Sequence, residues 1–175
     1  YTNLFGRRIM AGTIFLDFGE DIAGSSTDGG QADKIVVQSF SMGGANPTSS
    51  TRADGEGGTV GRVSLNDMSI SKEVDKATPT IFSYMCQGKN LETVTLFVYK
   101  ASASGEDVEF LKYTMTKVII SSHNISGSDG VASESLSLNY GTIVIQVTPT
   151  TSDNNEGGTA VPKGWDQTAS TVKDD

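Results

Sequence analysis

The sequence predicts a mainly β chain, folded as a sandwich or squashed barrel with one short α-helix. Three observations carry this. Short apolar runs, several alternating with period two, recur along the chain between glycine- and serine-rich turns. One segment, Thr78–Gly88, carries helix start and stop signals. A length of 175 residues suits a single domain with a real core.

The elements follow in order. Tyr1–Ile9 is read as an upstream leader and set apart from the fold, because Arg7 and Arg8 precede no apolar core of the kind a secretory signal needs. Met10-Ala11-Gly12 reads as a start, and residues 10–166 as one domain. Thr13–Phe18 is an apolar run of strand formers, and Gly19–Asp33 a polar loop. In Lys34–Met42, alternation sets Val36, Phe40 and Met42 on one face and Val37, Ser39 and Ser41 on the other. If the apolar set points into the core, the serines point outward. Gly43–Gly58 is too long for an idle connection. Val63 and Leu65 alternate, then Met68 and Ile70 in the opposite phase, which predicts a bulge at Asn66-Asp67.

The helix signal is the clearest. Thr78 is expected as N-cap, Pro79 as first helical residue and Gly88 as the left-handed stop. Thr93–Ser102 is apolar on both faces, with Val94, Leu96 and Val98 against Phe97 and Tyr99, so the helix or another subunit is expected to cover its second face. Ala103–Glu106 turns into a strand over Val108–Ser122, and Ser126–Gly130 turns again. Ser133–Thr148 changes phase at Gly141, a bulge or bend. Val161–Asp166 is read as an edge strand carrying Trp165, and residues 167–175 as a frayed tail.

Composition narrows function. Thirteen basic against 21 acidic residues give a net charge of −8, which disfavours nucleic acid and anionic membrane. No run reaches the length of a spanning helix. The lone Cys86 excludes an intrachain disulfide. His123 and Cys86 form a nominal nucleophile–base pair, but the end of a helix raises a thiol pKa, so they are read as a buried helix cysteine and a strand-end histidine. Asp17, Glu20 and Asp21 match no calcium loop, and Gly24, Gly29 and Gly30 open no phosphate-binding helix. Lys72, Lys76, Lys89, Lys100, Lys112 and Lys117 alternate with acids, make no basic stripe and are read as a solvated or interface face. No catalytic, metal or cofactor constellation emerges, and the chain is read as a non-enzyme. A secreted β-sandwich adhesin or carbohydrate-binding module fits the same strands, and a small β-barrel enzyme is a third reading.

Specific text favours another identity. Asp67-Met68-Ser69-Ile70-Ser71-Lys72-Glu73-Val74-Asp75-Lys76-Ala77-Thr78-Pro79, Cys86-Gln87-Gly88-Lys89, Tyr99-Lys100-Ala101, Val108–Leu111, Val118–Ser122, Ser126–Ser128, Glu134–Tyr140 and Gly164-Trp165-Asp166, in this order, resemble the Hcp family. These are the hemolysin-coregulated tube proteins of type VI secretion systems. The resemblance implies two sheets packed into a squashed barrel with a helix at its side. It implies six copies in a ring, and rings stacked into a tube that a contractile sheath propels behind a spike, with secreted effectors in the lumen. It also implies a bacterial cytoplasmic protein exported without a cleaved signal. On this reading Asn46, Pro47, Arg52, Asp54 and Glu56 belong to a ring-stacking loop, and Ser39 and Ser41 contact effectors in the lumen. Asp67, Lys72, Asp75, Lys76, Thr78, Pro79, Gly88 and Trp165 are the structural motif.

Overall fold

A computed structural model describes residues 12–27, 30–47, 61–101, 107–151 and 156–173. The leader, the Ala103–Glu106 turn, and Arg52, Asp54 and Glu56 lie outside the described residues. The strands are β1 (Thr13–Asp17), β2 (Ile35–Val37), β3 (Ser39–Ser41), β4 (Gly44–Ala45), β5 (Ser64–Leu65) and β6 (Met68–Glu73). The helix α1 (Thr78–Gln87) follows. Then come β7 (Leu91–Ala101), β8 (Asp107–Ser128), β9 (Val131–Asn139), β10 (Thr142–Val147), β11 (Val161–Asp166) and β12 (Thr171–Lys173).

β8 organises the architecture. Its first half lies in one sheet, ordered β12-β11-β10-β8-β7-β1-β2. Its second half pairs with β9 in a second sheet, ordered β3-β6-β9-β8. The strand turns this corner at Lys117, whose φ of 54° places a side chain in left-handed backbone. That conformation costs roughly 1–2 kcal/mol and persists only where packing on both sides demands it. Met115 and Val118, on either side of the corner, are fully buried. The two sheets close on a core that includes Leu16, Ile35, Met68, Ile70, Leu96, Leu136 and Leu138. The fold is the β-rich two-sheet barrel with one side helix that the sequence predicts.

Several local expectations are corrected. Val36 is exposed and Val37 buried, because the chain breaks at Gln38 as it passes from one sheet to the other. The phase change at Asn66-Asp67 is not a bulge within one strand. It separates β5, which pairs with β4, from β6 in the second sheet. At Gly141 the expected bend is found, and it separates β9 and β10, which belong to different sheets, where one strand was read. Residues expected to fray after Gln167 form β12, paired with β11. Asp166 starts that turn by accepting the amides of Thr168 and Ala169 at 2.8 and 2.9 Å.

The helix starts one residue earlier than expected. Ala77 is its N-cap and makes no side-chain cap bond, so Thr78 is not the cap. Pro79 sits in the first turn, and Gly88 ends the helix at φ 60°. Ile81 faces the core with no exposure. Cys86, expected to be buried, is exposed in the last turn.

Two glycines are required for different reasons. A Cβ on Gly88 meets open space, so only the backbone conformation is at stake. A Cβ on Gly164 collides with the Ile143 carbonyl oxygen and the Val144 side chain. Gly88→Ala is expected to lower the unfolding free energy by about 1–2 kcal/mol in urea titrations. Gly164→Ala should cost more than that, and an equal or smaller cost would contradict the close β10–β11 approach.

Candidate functional site

Three of the motif residues, Lys72, Asp75 and Thr78, converge where α1 meets the second sheet. Lys72 occupies the inward position of β6 after Met68 and Ile70, and Glu134 the inward position of β9 before Leu136 and Leu138. Strand register sets the two directly opposite. Their side chains are 1% and 0% exposed, so this is a fully buried ion pair, and Lys72 is not the solvated or interface lysine expected, because its row of β6 faces the core. Lys72 Nζ donates to Glu134 Oε1, to Asp75 Oδ1 at 2.9 Å and to the Glu73 carbonyl at 2.7 Å. Thr78 Oγ1 donates to the same Glu134 oxygen at 3.0 Å and accepts the Asp75 amide at 3.1 Å. Asp75 in turn accepts the Ala77 amide at 2.9 Å. The first turn of the helix is thereby tied to β6 and β9.

His123 completes the cluster. It lies within β8, not at a strand end, and its Nε2 is 2.7 Å from Glu134 Oε2. An ionised carboxylate only accepts, so this nitrogen carries the proton. The Phe82 ring covers the imidazole at 6.2 Å between centroids. Burial alone pushes the Glu134 carboxyl up. Hydrogen bonds from Lys72 and His123, the Lys72 charge and the Thr78 hydroxyl outweigh it, and hold the carboxyl below its ordinary value.

The other motif residues do separate work. Asp67 pins the start of β6, accepting from Ser121 Oγ at 2.5 Å and Asn139 Nδ2 at 2.8 Å. Beside it the Tyr140 hydroxyl donates to the Asn66 carbonyl at 2.9 Å. Burial, aided by the Asp67 charge, pushes that hydroxyl up to about 12. Lys76 reaches Asp33 at 3.0 Å on the surface, a pair worth at most about 1 kcal/mol. Trp165, half-buried on β11, stands between Ile143 of β10 and Val172 of β12. Asp17 and Asp21, weighed as calcium ligands, pair instead with Lys34 and Lys89, at 3.6 and 2.7 Å.

Ser39 and Ser41 are exposed on β3, and register shows what surrounds them. Ser39 is opposite Ser71, which is opposite Ser135. Ser41 is opposite Ser69, which is opposite Ser137. On β8 these rungs continue to Asn124 and Ser122. Along these rungs the outer face of the second sheet is therefore small, neutral and polar, serines with Asn124, four strands wide, and the Glu73 carboxylate follows one rung further on, opposite Ser133. Sequence reading found two of its members. The alternation of serine with apolar residues in 68–71 and 135–138 held the rest.

The outer face of the first sheet is different. Phe15, buried on that side of β1, packs edge-on to Tyr99, which stacks on Phe97. Lys34 and Lys112 lie over Phe97 at 4.0 and 5.5 Å, and Gln31 Nε2 donates to the Tyr99 hydroxyl at 2.8 Å. The second face of β7 is thus partly covered within the protomer, by Lys34 and Gln31 from the β1–β2 loop and by Lys112 from β8, and Phe97 and Tyr99 stay half-buried. The helix does not cover it.

Asn46 and Pro47, both exposed, follow β4. The Pro47 carbonyl accepts the Gly61 amide at 2.8 Å. With the β4–β5 pair this makes a closed stem from which residues 48–60 depart.

A family model described as type VI secretion system effector, Hcp, matches residues 15–147. Protein hcp1 of Pseudomonas aeruginosa is 31% identical over 158 residues, spanning 89% of this chain and 95% of that protein. A solved type six secretion system protein superposes with a TM-score of 0.84 at 24% identity, over 93% of this chain and all of the other. Hcp2 from Salmonella typhimurium superposes at 0.69 with 26% identity, over 91% and 98%.

Breaking a buried pair strands the remaining charge, whereas replacing both partners removes it. Lys72→Met and Glu134→Leu should each cost about 3–5 kcal/mol in urea unfolding. The double variant should cost less than either, and simple additivity would contradict a coupled pair. Because the folded Glu134 carboxyl is more acidic than in the unfolded chain, its contribution is complete above about pH 4.3. That contribution falls away as the pH drops through the folded value. Urea midpoints should show this acid loss in the parent protein and less of it in Glu134→Gln.

Proposed function

This chain belongs to the Hcp family of type VI secretion tube proteins, and on that premise we propose that six copies close into a ring whose lumen is walled by the serine face. The observation that carries the reading is the pair of rungs Ser41–Ser69–Ser137 and Ser39–Ser71–Ser135. A charge on a pore wall would be repeated at every symmetry-related position and build a single-sign field. Serine hydroxyls bind water and polar cargo without such a field. Ser39 and Ser41 are on this reading effector contacts, accompanied by their cross-strand neighbours.

Stacking of rings is assigned to the segment that leaves the β4–β5 stem, with Asn46 and Pro47 at its base and Arg52, Asp54 and Glu56 further along. A segment rich in Gly, Ser and charge orders when it meets a partner. The completed tube is then propelled by a contractile sheath behind a spike, and carries effectors out of the bacterial cytoplasm without a cleaved signal. The family match lends nothing to a secreted adhesin or carbohydrate-binding module.

Light scattering and negative-stain images of the purified protein should give ring-sized particles with a central hole. A stable monomer at micromolar concentration would overturn the reading. Ser41→Gln should keep the ring and reduce recovery of co-expressed effectors. Breakdown to monomers would instead place Ser41 at a subunit contact, where added bulk costs about 1–3 kcal/mol. Deleting Asn46–Gly55 should leave rings intact and abolish tubes. Tubes assembled from the deleted protein would contradict the stacking role.

A further inference from the structure

We propose that neighbouring copies in the ring meet through two unlike apolar patches at opposite ends of β8, a valine wing and the helix tip. The inference rests on the ring reading above and names the surfaces that close it. Large exposed apolar side chains on the described surface are few, and most fall into two groups.

The first group is on the wing formed by β10, β11 and β12. Ile143 is 2% exposed and faces the core. Two residues per step along the same face, burial falls away, and Val147 is 45% exposed. Val161, paired with Val147, is 64% exposed, as is Val172, paired with Trp165. The core face of the first sheet thus continues into solvent as a strip of valines bordered by a tryptophan. The second group surrounds the start of α1. Phe82 is 52% exposed above His123, and Ile125, two residues on along that face of β8, is 55% exposed. Val74 continues the inward row of β6, with its amide donating to the Ala132 carbonyl at 3.2 Å. Val36, Ile119 and Val131 belong to neither group.

Val147 is level with Leu111 of β8, and Ile125 lies fourteen residues further along the same strand. At about 3.3 Å per residue, and allowing for the corner at Lys117, the patches are tens of ångströms apart. One copy cannot cover its own tip with its own wing. Unlike patches that join head to tail make a heterologous contact, which gives a ring when the rotation closes. A family that assembles with itself supplies the occupant, a second copy of this chain. Apolar strips of this kind on a lone protomer mark such contacts.

The test uses the full chain. With Cys86→Ser to remove the native thiol, Phe82→Cys and Val161→Cys are introduced together. Mild oxidation should give a covalent ladder ending at the ring on non-reducing gels. Separately, Phe82→Glu and Val161→Glu should each shift the light-scattering mass from ring to monomer, while circular dichroism and thermal unfolding stay near those of the parent. A parent ring that yields no ladder and survives both charged variants overturns this contact and leaves the ring standing. Charged variants that keep rings but lose tubes would place the patches between rings, which also overturns it. A parent that forms no ring removes the underlying reading and this proposal together.

Discussion

The buried Lys72–Glu134 pair is the constraint on which the rest of the structure depends. Two charges removed from water cost several kcal/mol each, and only a full set of hydrogen bonds makes that tolerable. Here Asp75, Thr78, His123 and the Glu73 carbonyl complete the set. Glu73, Asp75 and Thr78 come from the end of β6 and the helix start and His123 from β8, so satisfying the pair fixes β6, β9, β8 and the helix start relative to one another. It also fixes register. A one-residue slip would turn Lys72 and Glu134 outward and bring serines into the core.

That register gives the second sheet its two characters. Inward rows carry Met68, Ile70, Leu136 and Leu138, and outward rows carry serine. The first sheet has the opposite habit on its outside, where aromatic rings cluster and the Lys34 and Lys112 ammonium groups lie over Phe97. β8 joins the two sheets through its corner at Lys117, so the two outer faces point in different directions from one continuous strand. A subunit with one serine-rich face, one half-buried aromatic face and apolar strips at its ends suits a wall built of repeated copies.

Much of this was legible in the sequence. The strands, the helix and its glycine stop could be read from local signals, because alternation and capping are short-range effects. The outward direction of Ser39 and Ser41 was also readable, although Val36 was assigned to the wrong face. A break at Gln38 resets the phase there, and it comes from a change of sheet that no local pattern announces. Thr78 had cap chemistry but its hydroxyl serves Glu134, a partner 56 residues away. The ion pair was visible in principle. Lys72 and Glu134 each extend a period-two apolar row, and an ionisable residue in such a row needs a buried partner. The strand β12 was missed because it is short, though Asp166 ahead of Thr168 is a turn signal.

The central claim is that the serine face of the second sheet looks inward in the assembled particle. Electron cryomicroscopy of assembled rings or tubes, at a resolution that traces β3 and β7, tests it directly. The account predicts Ser39, Ser41, Ser71 and Ser135 on the lumen wall. A lumen walled instead by Phe97, Lys34 and Lys112 would contradict it.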